Sequence, residues 1–196
     1  VGEPVVAIAA ENLRIAEDAI EEIEIDYEPV PFVVDVEKAA LPKAPLVYES
    51  FGTNSVSHFH EVYGDPEYAF DVEADRIAKN RISLHRYSST PLETAAVTAQ
   101  YNHVTGRLTV WCNAQFPGVL MPTLSNLLSI PSNRIHMIIQ DIGGGFGIKS
   151  AILKPLLITC LLALKVSNGR PVKYVEQRTE HLLAAGQSAN CVAHIE

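Results

Sequence analysis

Four of the chain's 11 glycines fall in one ten-residue segment, Asp141-Ile142-Gly143-Gly144-Gly145-Phe146-Gly147-Ile148-Lys149-Ser150. It lies between an apolar strand-like run, residues 134–140, and a nearly all-apolar helical run that reaches about residue 166. Glycine there admits positive φ and lets a ligand come close to the main chain. Successive N–H groups turned inward beside a helix start suit an anion or an oxo group. A Walker A loop needs Gly directly before Lys-Ser, where Ile148 stands. A dinucleotide Gly-x-Gly-x-x-Gly also fails: from Gly143 the last position is Ile148, and from Gly145 it is Ser150. A tight turn without a ligand is the plain alternative, but a Phe amid four glycines has no local use in one.

The remaining sequence can supply a core around this loop. Its 196 residues are 47% hydrophobic, enough for one large domain or two small ones. Only 19% are charged, which excludes disorder and coiled coil. The longest apolar stretch, residues 155–164, falls far short of the ~20 residues that span a bilayer. Cys112, Cys160 and Cys191 are widely spaced without a Cys-x-x-Cys, so the chain holds no self-contained iron–sulfur or zinc cluster. Such cysteines argue against a disulfide scaffold and for a reducing, cytoplasmic setting. No secretory pattern opens the chain, and its start at Val1-Gly2-Glu3-Pro4 without Met suggests part of a longer protein.

The net charge of −8 hides an asymmetry. Residues 1–75 carry 18 Asp and Glu against 3 Lys and Arg, whereas residues 76–196 carry 5 against 12. An acidic part faces solvent or another subunit, and a basic part suits an anion. The basic residues are dispersed without interleaved aromatics, which argues against nucleic acid.

Along the chain, residues 5–10 read as a strand, 11–22 as an amphipathic helix and 23–27 as a second strand, a β-α-β unit. A Pro-containing linker over 41–51 follows, with a domain boundary near residues 50–60. Asp65-Pro66-Glu67 has the N-cap Asp and first-turn Pro of a helix start, and that helix ends near Ala74. Residues 76–88 and 94–101 read as strands, and 108–114 pairs with the latter across Asn102-His103-Val104-Thr105-Gly106. Residues 117–129 form a helix on that sheet, 172–176 a strand, and Thr179 begins a last helix. Strands and helices mix without strict alternation, so the fold class is α+β.

The run 143–149 resembles the Gly-Gly-Gly-Phe-Gly-x-Lys loop of the molybdenum-binding large subunits of the xanthine dehydrogenase/aldehyde oxidase/carbon monoxide dehydrogenase family. Other landmarks agree in order. Val1-Gly2-Glu3-Pro4-Val5 and Ile25-Asp26-Tyr27-Glu28-Pro29-Val30-Pro31 resemble the end of that family's α/β hammerhead domain. Gly64-Asp65-Pro66 with Ala69-Phe70, Pro91-Leu92-Glu93, Leu108-Thr109-Val110-Trp111 leading to Gln115, and Arg170-Pro171-Val172 with Arg178-Thr179-Glu180 resemble its molybdopterin-binding domain. The resemblance covers nearly the whole chain and only part of the family's large subunit. It implies residues 1–55 as the C-terminal part of the hammerhead plus linker, and 56–196 as the first part of the molybdopterin-binding domain.

By that resemblance the chain belongs to a molybdenum hydroxylase that oxidises a carbon centre with oxygen from water. Electrons then pass to [2Fe-2S] centres and FAD on iron–sulfur and flavin subunits. The cofactor is molybdenum–molybdopterin, with the cytosine dinucleotide form as one option. Gln115 matches the glutamine that hydrogen-bonds the apical oxo ligand, and Gly144, Gly145, Phe146 and Gly147 match the loop against the metal's ligand sphere. No side chain here is expected to ligate the metal, and the general-base glutamate lies in the remainder of the large subunit. Glu93 is therefore read as a structural carboxylate. Ser150 stands where xanthine-oxidising members have a substrate-orienting glutamate, which counts against purines. No cysteine occupies the context that carbon monoxide oxidation needs. An aldehyde, or next an aromatic or heteroaromatic carbon, is the expected substrate. The isolated chain is expected to be inactive. The alternatives are a non-catalytic scaffold or assembly piece derived from the family, and a nucleotide-binding α/β protein.

Weaker candidates remain. His58 and His60 are only two ligands at strand spacing, and no Gly-x-Ser-x-Gly elbow frames Ser88 or Ser89. Cys112 beside Trp111 reads as core.

Overall fold

The computed structural model describes residues 2–166 and 168–196. Val1, the first residue of the amino-terminal landmark, lies outside the described residues. In chain order the elements are α1 (Leu13–Glu21), α2 (Val36–Ala39), α3 (Pro66–Tyr68, continued by a π turn Ala69–Glu73), β1 (Asn80–Leu84), β2 (Ala96–Asn102) and β3 (Arg107–Cys112). Then follow α4 (Pro117–Leu128), β4 (Ile135–Ile138), α5 (Leu153–Lys165), β5 (Val172–Val175), α6 (Arg178–Ala184) and β6 (Cys191–Ile195). The chain divides into two compact units, Val1–Ile25 with Tyr87–Ser188, and Asp26–Arg86 with Ala189–Glu196.

The first unit is built on a four-stranded sheet of order β4-β3-β2-β5. β2 and β3 form an antiparallel hairpin with Val97 opposite Cys112 and Tyr101 opposite Leu108. Its turn is set locally: the Asn102 side-chain oxygen accepts from the Val104 and Thr105 N–H groups at 3.0 Å, and Gly106 adopts φ +65°. β4 runs parallel to β3, with Leu108 opposite Ile135. A parallel neighbour requires a crossover, which α4 supplies. Ser129 closes that helix in the left-handed region at φ 55°. β5 pairs antiparallel on the other side of β2.

Burial alternates along β2 and β3, as a half-covered sheet requires. Val97, Ala99, Leu108 and Val110 face Leu120 and Leu124 of α4 and Leu156, Cys160 and Ala163 of α5. Both helices therefore cover one face. The apolar run 152–164 is a core helix, buried along one side and half-buried on most of the rest. No helix among the described residues is long and apolar enough to cross a membrane.

The second unit pairs β1 with β6 antiparallel. Asn54 ties its loop together, accepting from Val47 N–H at 2.9 Å and donating to the Ala39 and Pro45 carbonyls at 3.1 and 3.0 Å. Glu37 on α2 holds Arg81 of β1 and His194 of β6.

The α+β reading holds, and α1, the hairpin, α4 and α5 stand where periodicity places them. Three expectations change. Residues 5–10 and 23–27 form no strands, so the β-α-β unit is not built: no neighbouring strand pairs with either stretch among the described residues. The strand expected over 76–88 is confined to Asn80–Leu84, the stretch opposite β6. β6 itself was missed, because its one alternation, Cys191 to Ile195, lacks a turn signal pairing it with β1.

Candidate functional site

The glycine loop is the link between β4 and α5, and its path is fixed from outside by two chain segments. One is the stretch Ser89 to Glu93 leading into β2. The other is Asn113-Ala114-Gln115, which continues β3. Asn113 extends the hairpin: its side chain accepts from Ala96 N–H at 2.9 Å and donates to the Thr94 carbonyl at 2.8 Å.

Glu93 grips the loop's start from both main chain and side chain. Its N–H donates to the Gly143 carbonyl at 3.2 Å, and its carboxylate accepts from Gly143 N–H at 2.8 Å. The same oxygen accepts from Lys149 Nζ at 2.5 Å. Lys149 is 1% exposed, so its ammonium has exchanged water for this partner, and Glu93 keeps 42% of its side chain in solvent. Burial alone would push the Glu93 carboxyl up. The Lys149 ammonium, Gly143 N–H and Asn113 side chain outweigh it and hold the carboxyl below its ordinary value. This matches the structural-carboxylate reading of Glu93.

Gln115 closes the loop's far end. Its N–H donates to the Lys149 carbonyl at 3.2 Å, and its Oε1 accepts from Lys149 N–H at 3.1 Å. That bond fixes which amide atom is the oxygen, and it leaves Nε2 without an acceptor among the described residues. Gly145 is buried directly against this amide: a Cβ on it would stand 2.5 Å from Gln115 Cδ and 2.9 Å from Nε2. No side chain fits between them.

Within the loop Gly144 and Gly147 take φ +89° and +87°, and Phe146, a non-glycine, takes φ +48°. The Phe146 ring is 76% exposed and its edge lies over Gly144, whose other neighbour is Pro91. Gly144 N–H returns to the Ile142 carbonyl and Ile148 N–H to the Gly145 carbonyl, at 2.8 and 2.9 Å. Among the described residues, no acceptor meets the N–H groups of Gly145, Phe146 and Gly147. Three successive main-chain donors therefore stand free in a loop whose Gly145 lies against the Gln115 amide, a donor set suited to oxygen-bearing or anionic groups. Ser150 turns away: its hydroxyl donates to the Gly147 carbonyl.

Residues without a role in the sequence reading also touch this site. Lys149 was quoted as part of a motif, and only burial shows that it is the loop's internal ion. Ser89 donates its hydroxyl to the Phe146 carbonyl at 3.2 Å. Arg178 donates to the Pro91 and Leu92 carbonyls at 2.6 and 2.9 Å. No local pattern pairs residues so far apart in sequence.

His58 and His60 are exposed in the second unit. Cys112 and Cys160 are buried core thiols, the latter pushed up to about 12 by burial and by the neighbouring Cys112, so neither is a nucleophile.

The family model of the molybdopterin cofactor-binding domain matches residues 47–196. The chain is 35% identical to the carbon monoxide dehydrogenase large chain of Afipia carboxidovorans, over 89% of this chain and 23% of that protein. It is 30% identical to the 6-hydroxypseudooxynicotine dehydrogenase complex subunit gamma of Paenarthrobacter nicotinovorans, over 100% of this chain and 24% of that one. The crystal structure of quinoline 2-oxidoreductase from Pseudomonas putida 86 superposes with a TM-score of 0.81 at 31% identity, covering 92% of this chain and 22% of that one. The chain thus spans about a quarter of the length of these relatives. Its matched domain, together with the loop geometry that fits it, makes this chain a member of the xanthine dehydrogenase/aldehyde oxidase/carbon monoxide dehydrogenase family, as part of a molybdopterin-binding large subunit.

Proposed function

We propose that this chain forms one wall of a molybdenum–molybdopterin site in a hydroxylase that oxidises an aldehyde or a heteroaromatic carbon. The observation that carries this is the donor set: free N–H groups at Gly145, Phe146 and Gly147, in a loop whose Gly145 lies against a Gln115 amide oriented by Lys149. Such donors fit a group presenting oxygen atoms, and the absent side chain at Gly145 lets it approach the main chain. When bound, the cofactor supplies two-electron oxidation of carbon with oxygen taken from water. Gln115 donates without a titratable proton of its own, so its bond persists across pH. Gly145, Phe146 and Gly147 supply the free main-chain donors, and Gly144 shapes the loop through its bond to the Ile142 carbonyl.

The proton-accepting glutamate is assigned to the remainder of the large subunit, and electrons leave to iron–sulfur and flavin subunits. Residues 1–55 serve as the end of the hammerhead domain and 56–196 as the start of the cofactor domain. With its hydroxyl turned into the loop, Ser150 offers substrate neither charge nor a free donor, which supports an uncharged carbon substrate over a purine. Relatives named for quinoline and 6-hydroxypseudooxynicotine favour a nitrogen heterocycle or a compound derived from one.

The test is metal and flavin analysis of the full-length subunit purified gently with its partners. Stoichiometric molybdenum, with iron and flavin on co-purifying chains, is expected. A metal-free protein that oxidises neither aldehydes nor heterocycles with a dye acceptor would overturn the assignment in favour of a scaffold role.

A further inference from the structure

The glycine loop is fixed at its ends by Glu93 and Gln115, but its middle is held differently. The Phe146 carbonyl accepts from the Ser89 hydroxyl at 3.2 Å. A peptide unit is planar and trans, so holding that carbonyl fixes the direction of the Gly147 N–H on the opposite side. Ser89 is itself held. Its carbonyl lies 3.1 Å from His181 Nε2, and because a carbonyl oxygen only accepts, that nitrogen donates.

His181 is 2% exposed on α6 and has no freedom to turn. Its Nδ1 lies 2.7 Å from Glu176 Oε2, and the same carboxylate oxygen accepts from the Ala95 N–H at 3.1 Å. Thr94 fixes the Glu176 main chain by donating to its carbonyl at 2.7 Å. A buried carboxylate and a buried imidazole thus form one rigid unit at the junction of β2, β5 and α6. Two residues along from Glu176, Arg178 donates to the Pro91 and Leu92 carbonyls. Three carbonyls of the stretch Ser89 to Leu92 are therefore gripped from α6, and that stretch grips the loop. Burying an acid–imidazole pair is costly unless its bonds are made, and those of Glu176 and His181 are; Arg178 Nη1 stays buried without a partner among the described residues. A sheet end could be closed by apolar residues at lower cost.

We propose that His181 is a positioning residue for the glycine loop, acting through Ser89 to set the angle of the Phe146–Gly147 peptide. The inference rests on the reading that this loop faces the cofactor, and it deepens that reading by naming what aims the loop's donors. Glu176 orients the ring, Ser89 relays the constraint, and Arg178 keeps the relay in place. None of these residues need touch the cofactor.

The experiment uses the full-length protein with its partners. Hydrogen exchange at the bonded Gly144 and Ile148 amides reports the loop's rigidity, exchange in β2 and β3 controls for the fold, and molybdenum EPR reports the cofactor's surroundings. Ser89→Ala removes one hydroxyl from a partly exposed residue, so the fold should be kept, while loop exchange should rise about tenfold. His181→Gln keeps a donor near the Nε2 position and should restore near-native exchange. His181→Asn reaches only toward Glu176 and should behave like Ser89→Ala. Loaded variants with the loosened loop should show an altered EPR signature and a kcat lowered about tenfold at unchanged KM.

Unchanged loop exchange in Ser89→Ala, or equal behaviour of the Gln and Asn variants, would overturn the proposal. Absence of molybdenum from the wild-type protein would instead defeat the cofactor reading, and the exchange result would still decide whether His181 holds the loop.

Discussion

The Gln115 amide fills the space that a side chain on Gly145 would need, with its Cδ 2.5 Å from where a Cβ would stand. Lys149 N–H holds the Gln115 oxygen in that place, so moving the amide aside breaks this bond. Any residue larger than glycine at 145 must displace that amide.

Gly145→Val should therefore abolish turnover, by about a hundredfold or more, through misplacement of groups at the reacting centre. Gly145 does not have positive φ, so backbone strain adds little and the fold should survive. Turnover and thermal melting measured together check this. Native turnover, or a collapsed melting profile with all activity losses explained by unfolding, would contradict it.

Gln115→Ala removes one preorganised donor and leaves the loop's other bonds in place. By analogy with lost oxyanion donors, kcat should fall by roughly 10²–10³, about 2.7–4 kcal/mol. Steady-state kinetics with a dye acceptor reads it, and full activity would put Gln115 outside the cofactor's surroundings.

Lys149 and Glu93 should couple strongly. Glu93→Ala strands a buried ammonium, and with half of Glu93 in solvent we expect a cost of about 1–3 kcal/mol. Lys149→Met should cost less, and the double variant less than the sum of the two. A double-mutant cycle on unfolding free energy measures the coupling, and strict additivity would mean that the pair contributes nothing.

The same pair gives a pH dependence of known sign. The Glu93 carboxyl is held below its ordinary value, so its folded pKa is lower than the unfolded value of about 4.3. Its stabilisation is then fully present above that unfolded value and disappears as pH falls through the folded one. The melting difference between wild type and Glu93→Gln should persist at pH 5–7, then shrink below about pH 4. A gap unchanged at pH 3 would assign the effect to lost packing instead.

Cys160 is pushed up to about 12, and Cys112 is also raised by burial. Neither should be alkylated at about pH 8 in the native protein, because the thiolate is the reactive form. Both should label in urea. Native labelling at Cys160, read by peptide mass, would show that α5 opens away from the sheet.

Where signals were local, sequence reading went far. The periodic helix over Leu13–Glu21 with its Asn12 cap, the Asn102–Gly106 turn and the apolar α5 each carry their own explanation within a few residues. The glycine loop was legible for the same reason. Two readings failed because strand-like composition is not yet a strand: residues 5–10 and 23–27 have it but pair with no neighbour among the described residues. The motif names Lys149 but says nothing of its burial, which only the three-dimensional closeness of Glu93 explains. His181 and Ser89 are 92 positions apart, and no period or motif links them.

The bonds that hold the glycine loop also say when it can form. Glu93 reaches Gly143 and Lys149 across 50 and 56 positions, Ser89 reaches Phe146 across 57, and Gln115 reaches Lys149 across 34. Closing such spans costs chain entropy before any contact rewards it. The β2–β3 hairpin, made of near neighbours, can zip first, and the loop can set only once β4 and α5 have docked. The glycine loop is thus among the last parts of the molecule to solidify, its donors taking their final directions only after the core has formed.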